Sequence, residues 1–229
     1  MCRLYMWLTF AGGHMRTNVL YMLKSMDKRD VGLQLALQCA PVITGIKVSN
    51  LFIIDKNMVE ELYDIIDGTD ISAFFLYEDE IKANILLYRK KELQQYLLGK
   101  ENQKFIRNFG YESVYIDDLL PEFAIRFSIY QFTQGEFPHE MGILLGYPVE
   151  DVKGFISNNG KNELYTGYWK VYDNLPEKLV LFNYYEAARE HFICLLAKGM
   201  DMSSILMMYN RARKKYLQFQ KVCDNMFKH

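Results

Sequence analysis

Proline is scarce in this chain of 229 residues, 5 in all, and with only 14 glycines it leaves little material for a disordered linker. One domain is expected rather than two. Neither sign of charge dominates: 27 lysines and arginines against 28 aspartates and glutamates give a net charge of −1, so no global field attracts nucleic acid or anionic lipid. The four cysteines, Cys2, Cys39, Cys194 and Cys223, are scattered and form no Cys-x-x-Cys. A chain of this size has no need of disulfide staples, and a reducing cytoplasm fits it best. No stretch reaches the ~18 uninterrupted apolar residues that a membrane-spanning helix requires. Common nucleotide and hydrolase signatures are missing as well. Gly160-Lys161 lacks both the preceding glycine and the following serine or threonine of a P-loop, and there is no Gly-x-Ser-x-Gly or Gly-x-Gly-x-x-Gly.

Half of the residues are hydrophobic and 15% are aromatic, enough to build a buried core. At the start, Arg3 followed by Leu4 to Ala11 imitates a secretory signal, but it is short for one and lacks an Ala-x-Ala site. Met15, Met22 and Met26 precede the first strongly patterned segment, so residues 1–26 are expected to be an extension and 27–229 the domain.

Asp30 caps a helix through Leu33, Leu35, Ala36, Leu37 and Cys39 that Pro41 is expected to end, because its ring disfavours helical geometry at Ala40. Gly45 allows a turn. Lys47 to Ile54 reads as a strand, and Met58 to Ile66 as a helix stopped by Gly68. Ile71 to Tyr77 and Ala83 to Tyr88 form a hairpin across Glu78-Asp79-Glu80. Two short helices divided by Gly99 follow, Lys90 to Leu98 and Glu101 to Phe109, then a longer one from Ile116 to Phe132. Many helices around a small sheet predict an α+β fold: a helix-rich single domain with a small antiparallel sheet.

Residues 137–157 are the most patterned part. Met141, Leu144 and Leu145 face inward on one helix, Gly146 closes it, and Val149, Val152, Phe155 and Ile156 repeat the pattern on a second. This is a helix-turn-helix-like corner, in which Gly142 permits close helix contact. DNA reading is not favoured. Glu150 and Asp151 open the second helix where phosphates would lie, and residues 110–151 hold eight acidic side chains against Arg126. Asn158 to Asn162 is a turn by composition, and Tyr165 to Tyr172 is a strand or an irregular segment. A helix from Pro176 to Lys198 ends at Gly199. In 201–222, Ile205, Met208, Tyr209, Ala212, Tyr216, Phe219 and Val222 recur at steps of three and four, an amphipathic helix with a basic outer face, so 200–229 is a helical, basic segment.

Phe137-Pro138-His139-Glu140-Met141-Gly142, continuing through Gly146, Gly154 and Gly160 to Gly167-Tyr168-Trp169-Lys170-Val171-Tyr172, resembles the bacterial family catalogued as domain of unknown function 3793. Gln38-Cys39-Ala40-Pro41, with Gly45-Ile46-Lys47 and Asn50-Leu51-Phe52 behind it, resembles that family's N-terminal motif, and the likeness covers roughly residues 27–200. The resemblance implies a cytoplasmic protein, largely of anaerobic bacteria, and no particular activity. Where members of the family carry cysteines beside the tryptophan, this chain has Tyr165 and Tyr168, so no metal or redox role is carried over to them.

Three chemistries remain. His139 can move protons and Cys39 can act as a nucleophile, with Glu140 a further catalytic candidate, although buried thiols and first-turn histidines are also ordinary structural residues. Glu136-x-x-His139 and His191-x-x-Cys194 have ligand-like spacings, but Pro138 interrupts the first and the second lacks the partners of a zinc site, so no metal is expected. The aromatic stretch offers a third possibility: Tyr168 and Trp169, with His139, Lys153 and Lys170, would line a ligand-binding surface, while Trp169 is equally a core residue. The leading expectation is a non-catalytic accessory protein that binds a small ligand or a protein partner near residues 137–172, its cofactors unknown. The alternatives are an enzyme using Cys39 and His139, and nucleic-acid binding through the corner at 139–157.

Overall fold

The computed structural model describes residues 15–226, with side chains to Gln218, and the signal-like segment at 1–11 lies outside the described residues. A three-stranded antiparallel sheet is the central layer. Its strands β1 (Ser49–Asp55), β2 (Ser72–Glu78) and β3 (Lys82–Tyr88) stand in the order β1-β3-β2. The register aligns Ser49 with Tyr88 and Asp55 with Lys82 on one side of β3, and Ser72 with Tyr88 on the other. Asp79 makes the expected hairpin turn: its carboxylate accepts the backbone N–H groups of Ile81 and Lys82 at 2.8 and 2.7 Å.

Successive strand residues point to opposite faces, and both faces of this sheet are covered. Leu51, Leu76, Leu86 and Tyr88 enter a first core, whereas Phe52, Ile54, Ala83, Ile85 and Leu87 enter a second. Helices α1 (Thr17–Ser25), α2 (Val31–Thr44) and α3 (Val59–Ile66) pack on the second core. The first core takes α4 (Lys90–Leu97), α5 (Lys100–Asn108), α6 (Ile116–Thr133), α7 (Met141–Leu144) and α8 (Val149–Ser157). A short hairpin of β4 (Tyr165–Thr166) and β5 (Lys170–Val171) completes that side.

Helix α9 (Leu175–Ala197) has 23 residues, about 34 Å at 1.5 Å per residue, long enough to serve both cores. It gives Phe182 and Tyr185 to the first and Ala188, Phe192 and Ile193 to the second. Val19 of α1 is fully buried, and Arg16 pairs with Glu190 of α9 at 2.5 Å. The architecture is the expected α+β one, a helix-rich domain with small antiparallel sheets.

Two local expectations need correction. Pro41 lies inside α2, which runs on to Thr44 and ends at Gly45 with φ of 82°. Proline withholds one N–H from the helix ladder, yet α2 is buried along most of its length against β1 and α9, and that packing outweighs one lost bond. The helix end is held from outside by the buried Arg89, whose guanidinium donates to the carbonyls of Val42 and Ile43 at 2.7 and 2.6 Å. The second correction concerns α10 (Met202–Met226), where Ile205 is buried but Met208, Ala212 and Tyr216 of the expected inner stripe are exposed. Phe219 and Val222 lie outside the described side chains.

Candidate functional site

The corner at 137–157 is closed by glycine chemistry. Gly146 sits at φ of +71°, which suits a residue without a side chain, and the N–H of Tyr147 reaches back to the carbonyl of Gly142 at 2.9 Å. A Cβ on Gly142 would stand 2.8 Å from Cγ2 of Val152, so α7 and α8 touch through that glycine as the spacing predicts. The first helix of the corner is shorter than the pattern suggests, four residues.

Pro148 starts α8 and brings Asp151 into its first turn, fully inside. One oxygen of Asp151 accepts the indole N–H of Trp169 at 2.7 Å; the other accepts the backbone N–H groups of Tyr172 and Asp173 at 2.7 and 3.1 Å. Trp169, 3% exposed, stacks on Tyr147 with ring centres 4.9 Å apart and meets the edge of Phe182 at 4.6 Å. Tyr96 donates to the carbonyl of Tyr147 at 2.5 Å. The acidic start of α8 is thus absorbed by the fold, since Glu150 also pairs with the buried Lys178 at 2.9 Å.

On its other side Tyr147 meets the N-terminal motif. Lys47, 5% exposed, holds its ammonium 5.2 Å from the Tyr147 ring centre and donates to the Ser49 carbonyl at 2.8 Å and to Oδ1 of Asn50 at 2.5 Å. Asn50 in turn donates to the Gln38 carbonyl, and Gln38 accepts from the N–H of Ile53. Ser49 donates to the carbonyl of Leu144. Burial pushes Lys47 down to about 7 and its neighbour Cys39 up to about 12. Residues far apart in sequence, from Gln38 to Trp169, therefore form one continuous cluster, buried at Lys47, Tyr147 and Trp169.

His139 lies elsewhere. Its half-buried ring packs between Phe137 and Phe155, each 5.8 Å away, with Nδ1 buried and without a hydrogen-bond partner. Burial lowers its pKa and so favours the neutral imidazole. No hydrogen bond or ring contact joins it to Cys39, which sits in the second core. Glu140, 2% exposed, accepts from the Tyr111 hydroxyl at 2.8 Å, and burial raises its pKa. Arg126 stands 3.8 Å from the same carboxylate, over the ring of Tyr111, and donates to the Phe109 carbonyl.

The remaining candidates have structural partners. Lys153 is exposed beside Glu101 at 3.2 Å. Lys170 closes the 160s loop by donating to the Gly160 carbonyl and to Glu163. Tyr168 donates to Glu186 at 2.8 Å, and Glu186 pairs with Arg189. Among the described residues no three His, Cys, Asp or Glu side chains are grouped to hold a metal ion, and no helix is long and apolar enough to cross a membrane.

Sequence reasoning missed two features. Lys47 stood between Ile46 and Val48, an apolar setting that was a signal of burial. The other is an apolar outer face on α6: Ile125, Ile129 and Phe132, at spacings of four and three, are 63%, 56% and 88% exposed, while Phe123, Phe127 and Tyr130 fill the core. A helix with more apolar residues than one face can hold was the readable sign.

No curated protein and no solved structure matches the chain. The family described as Protein of unknown function (DUF3793) matches residues 35–206, which takes in both clustered motifs and the sheet between them. The chain belongs to the DUF3793 family.

Proposed function

We propose that this is a non-catalytic accessory protein that docks a protein partner on the outer face of α6. One observation carries the reading: Ile125, Ile129 and Phe132 form an exposed apolar stripe on a helix whose opposite face is fully engaged. Contiguous exposed apolar surface of this kind marks interaction sites. Its surroundings are acidic. Residues 110–136 hold Glu112, Asp117, Asp118, Glu122 and Glu136 against Arg126, which is tied to Glu122 at 2.5 Å, and Lys90 from α4 pairs with Asp117 at 2.6 Å, which leaves an acidic excess. The partner this face suits is an amphipathic helix with basic flanks.

The buried thiol of Cys39 supports a non-catalytic role, since a pKa near 12 leaves almost no thiolate at neutral pH. The free thiols of Cys39 and Cys194 support a reducing setting, which we take to be the cytoplasm of a bacterium. A second reading keeps a small ligand near His139 and Lys153, supported by the half-open His139 ring and the exposed Lys153 on the adjoining helix α8. Trp169, Tyr168 and Lys170 then act as the frame of that surface.

Native mass spectrometry of freshly, anaerobically purified protein separates the two. A bound protein mass that disappears with Phe132→Glu is the expected result. A bound small molecule that is lost with His139→Gln and retained with Phe132→Glu overturns the docking reading in favour of the second.

A further inference from the structure

Helix α10 is anchored along its first half, and its described side chains after that are exposed. Met202, Ile205 and Leu206 are buried in the second core, and Asn210 donates to the carbonyl of Gly68. Arg213 is anchored as well. It pairs with Asp70, 3.4 Å away, and with Glu92 on α4. Its guanidinium occupies the space beside Gly45, where a Cβ would lie 2.4 Å from Nη1. Asp70 also pairs with the buried Arg89 at 2.5 Å, so the same carboxylate ties α10 to the end of α2.

Beyond Arg213 the side chains from Lys214 to Gln218 are exposed, while the helical backbone continues to Met226. That leaves 13 helical residues after Arg213, about 20 Å, a length at which an isolated helix is marginal in water. Its charge is predominantly basic: with Arg213 itself, residues 211–226 hold Arg211, Lys214, Lys215 and Lys221 against Asp224 alone. Leu217, 42% exposed, adds apolar surface.

This basic helix has the chemistry that the α6 face lacks, and both surfaces are exposed in a single protomer. Pairing like with like would set acid against acid at α6, or base against base at α10, which is unfavourable. Pairing α6 with α10 removes both conflicts. We infer that the partner is a second copy of this chain, and that two protomers exchange their C-terminal helices, each α10 lying along the α6 stripe of the other. A reciprocal exchange about a two-fold axis satisfies both faces of both chains and closes the assembly. The inference rests on the proposed docking role of α6 and names its occupant.

The test is native mass spectrometry and sedimentation of the full chain across micromolar concentrations. A dimer that weakens as salt rises is expected. Phe132→Glu on α6 and the double variant Lys214→Glu/Lys215→Glu on α10 should each give monomers with unchanged far-ultraviolet circular dichroism, because all three positions are exposed. Mixing the two variants should then restore dimers, since one intact α6 and one intact α10 meet in the mixed pair. A monomeric wild type overturns the inference, as does a dimer that only one of the variants disrupts or that mixing fails to restore. A monomer that instead carries a different protein, lost with Phe132→Glu, overturns the second copy and leaves the docking role of α6 standing.

Discussion

Asp151 at the start of α8 receives the indole N–H of Trp169 at 2.7 Å, and this bond joins the helical corner to the β4–β5 hairpin. The carboxylate also receives two backbone N–H groups and is 2% exposed, so it organises the hairpin rather than facing solvent. Asp151→Ala removes the acceptor from the buried indole N–H and from two half-buried backbone N–H groups, and should lower stability by about 3 kcal/mol. Trp169→Phe keeps an aromatic ring against Tyr147 but loses one donor and part of the packing, and should cost about 1–3 kcal/mol. Urea unfolding of both variants checks the order; equal stability of wild type and Asp151→Ala would show that the buried bonds carry no weight.

Lys47 should impose a pH dependence on stability. Folded, burial depresses it to about 7, against 10.5 for an ordinary lysine. Between those values the unfolded chain binds more proton than the folded one, so this group makes stability rise with pH, by at most about 1.4 kcal/mol per unit. Below about 7 it contributes no slope. Cys39 acts in the opposite sense: its thiol, raised from 9.0 to about 12, makes stability fall as pH climbs above 9. Urea midpoints should therefore increase from pH 7 to 9, level off while the two slopes oppose each other, and fall only above 10.5, and Lys47→Met should flatten the rising limb. An unchanged rising limb in that variant would exclude Lys47 as its source.

The same burial makes Cys39 inert. Iodoacetamide should alkylate it only after unfolding, at a rate that follows urea concentration, as located by peptide mass spectrometry. Rapid modification of Cys39 in the native protein would instead revive its reading as a nucleophile.

Gly142 sets the distance between α7 and α8. Gly142→Ala places a methyl 2.8 Å from Cγ2 of Val152 and should destabilise the protein by about 1–3 kcal/mol. Combining it with Val152→Ala vacates that space, so the double variant should be more stable than the sum of the two single costs predicts. Strict additivity in a thermal or urea double-mutant cycle would rule out the contact.

Much of the order of elements was legible locally. The β-rich run from Ala83 to Tyr88, the Asp30 cap, the turn at Gly45 and the stops at Gly68 and Gly199 all lie where the chain forms those features. The Gly142 contact with Val152 could be read from spacing alone, because both belong to one short corner. The candidate site was less legible. Trp169 admitted both a core and a surface reading, and the choice depended on Asp151, 18 residues away. The stripe over Met208, Ala212 and Tyr216 showed the periodicity of a buried face, but periodicity states which residues share a side and not what covers that side.

The sequence by itself determined the helix-rich α+β composition of the fold, since local periodicity, capping and turn residues act within a few positions, and its two separated motifs carried the resemblance to the family. Only the tertiary structure decided that α2 runs through Pro41, that Lys47 lies against Tyr147 and that α6 keeps an apolar face outside. Each of these depends on packing between segments distant in the chain, where burial and long-range hydrogen bonds outweigh local preference.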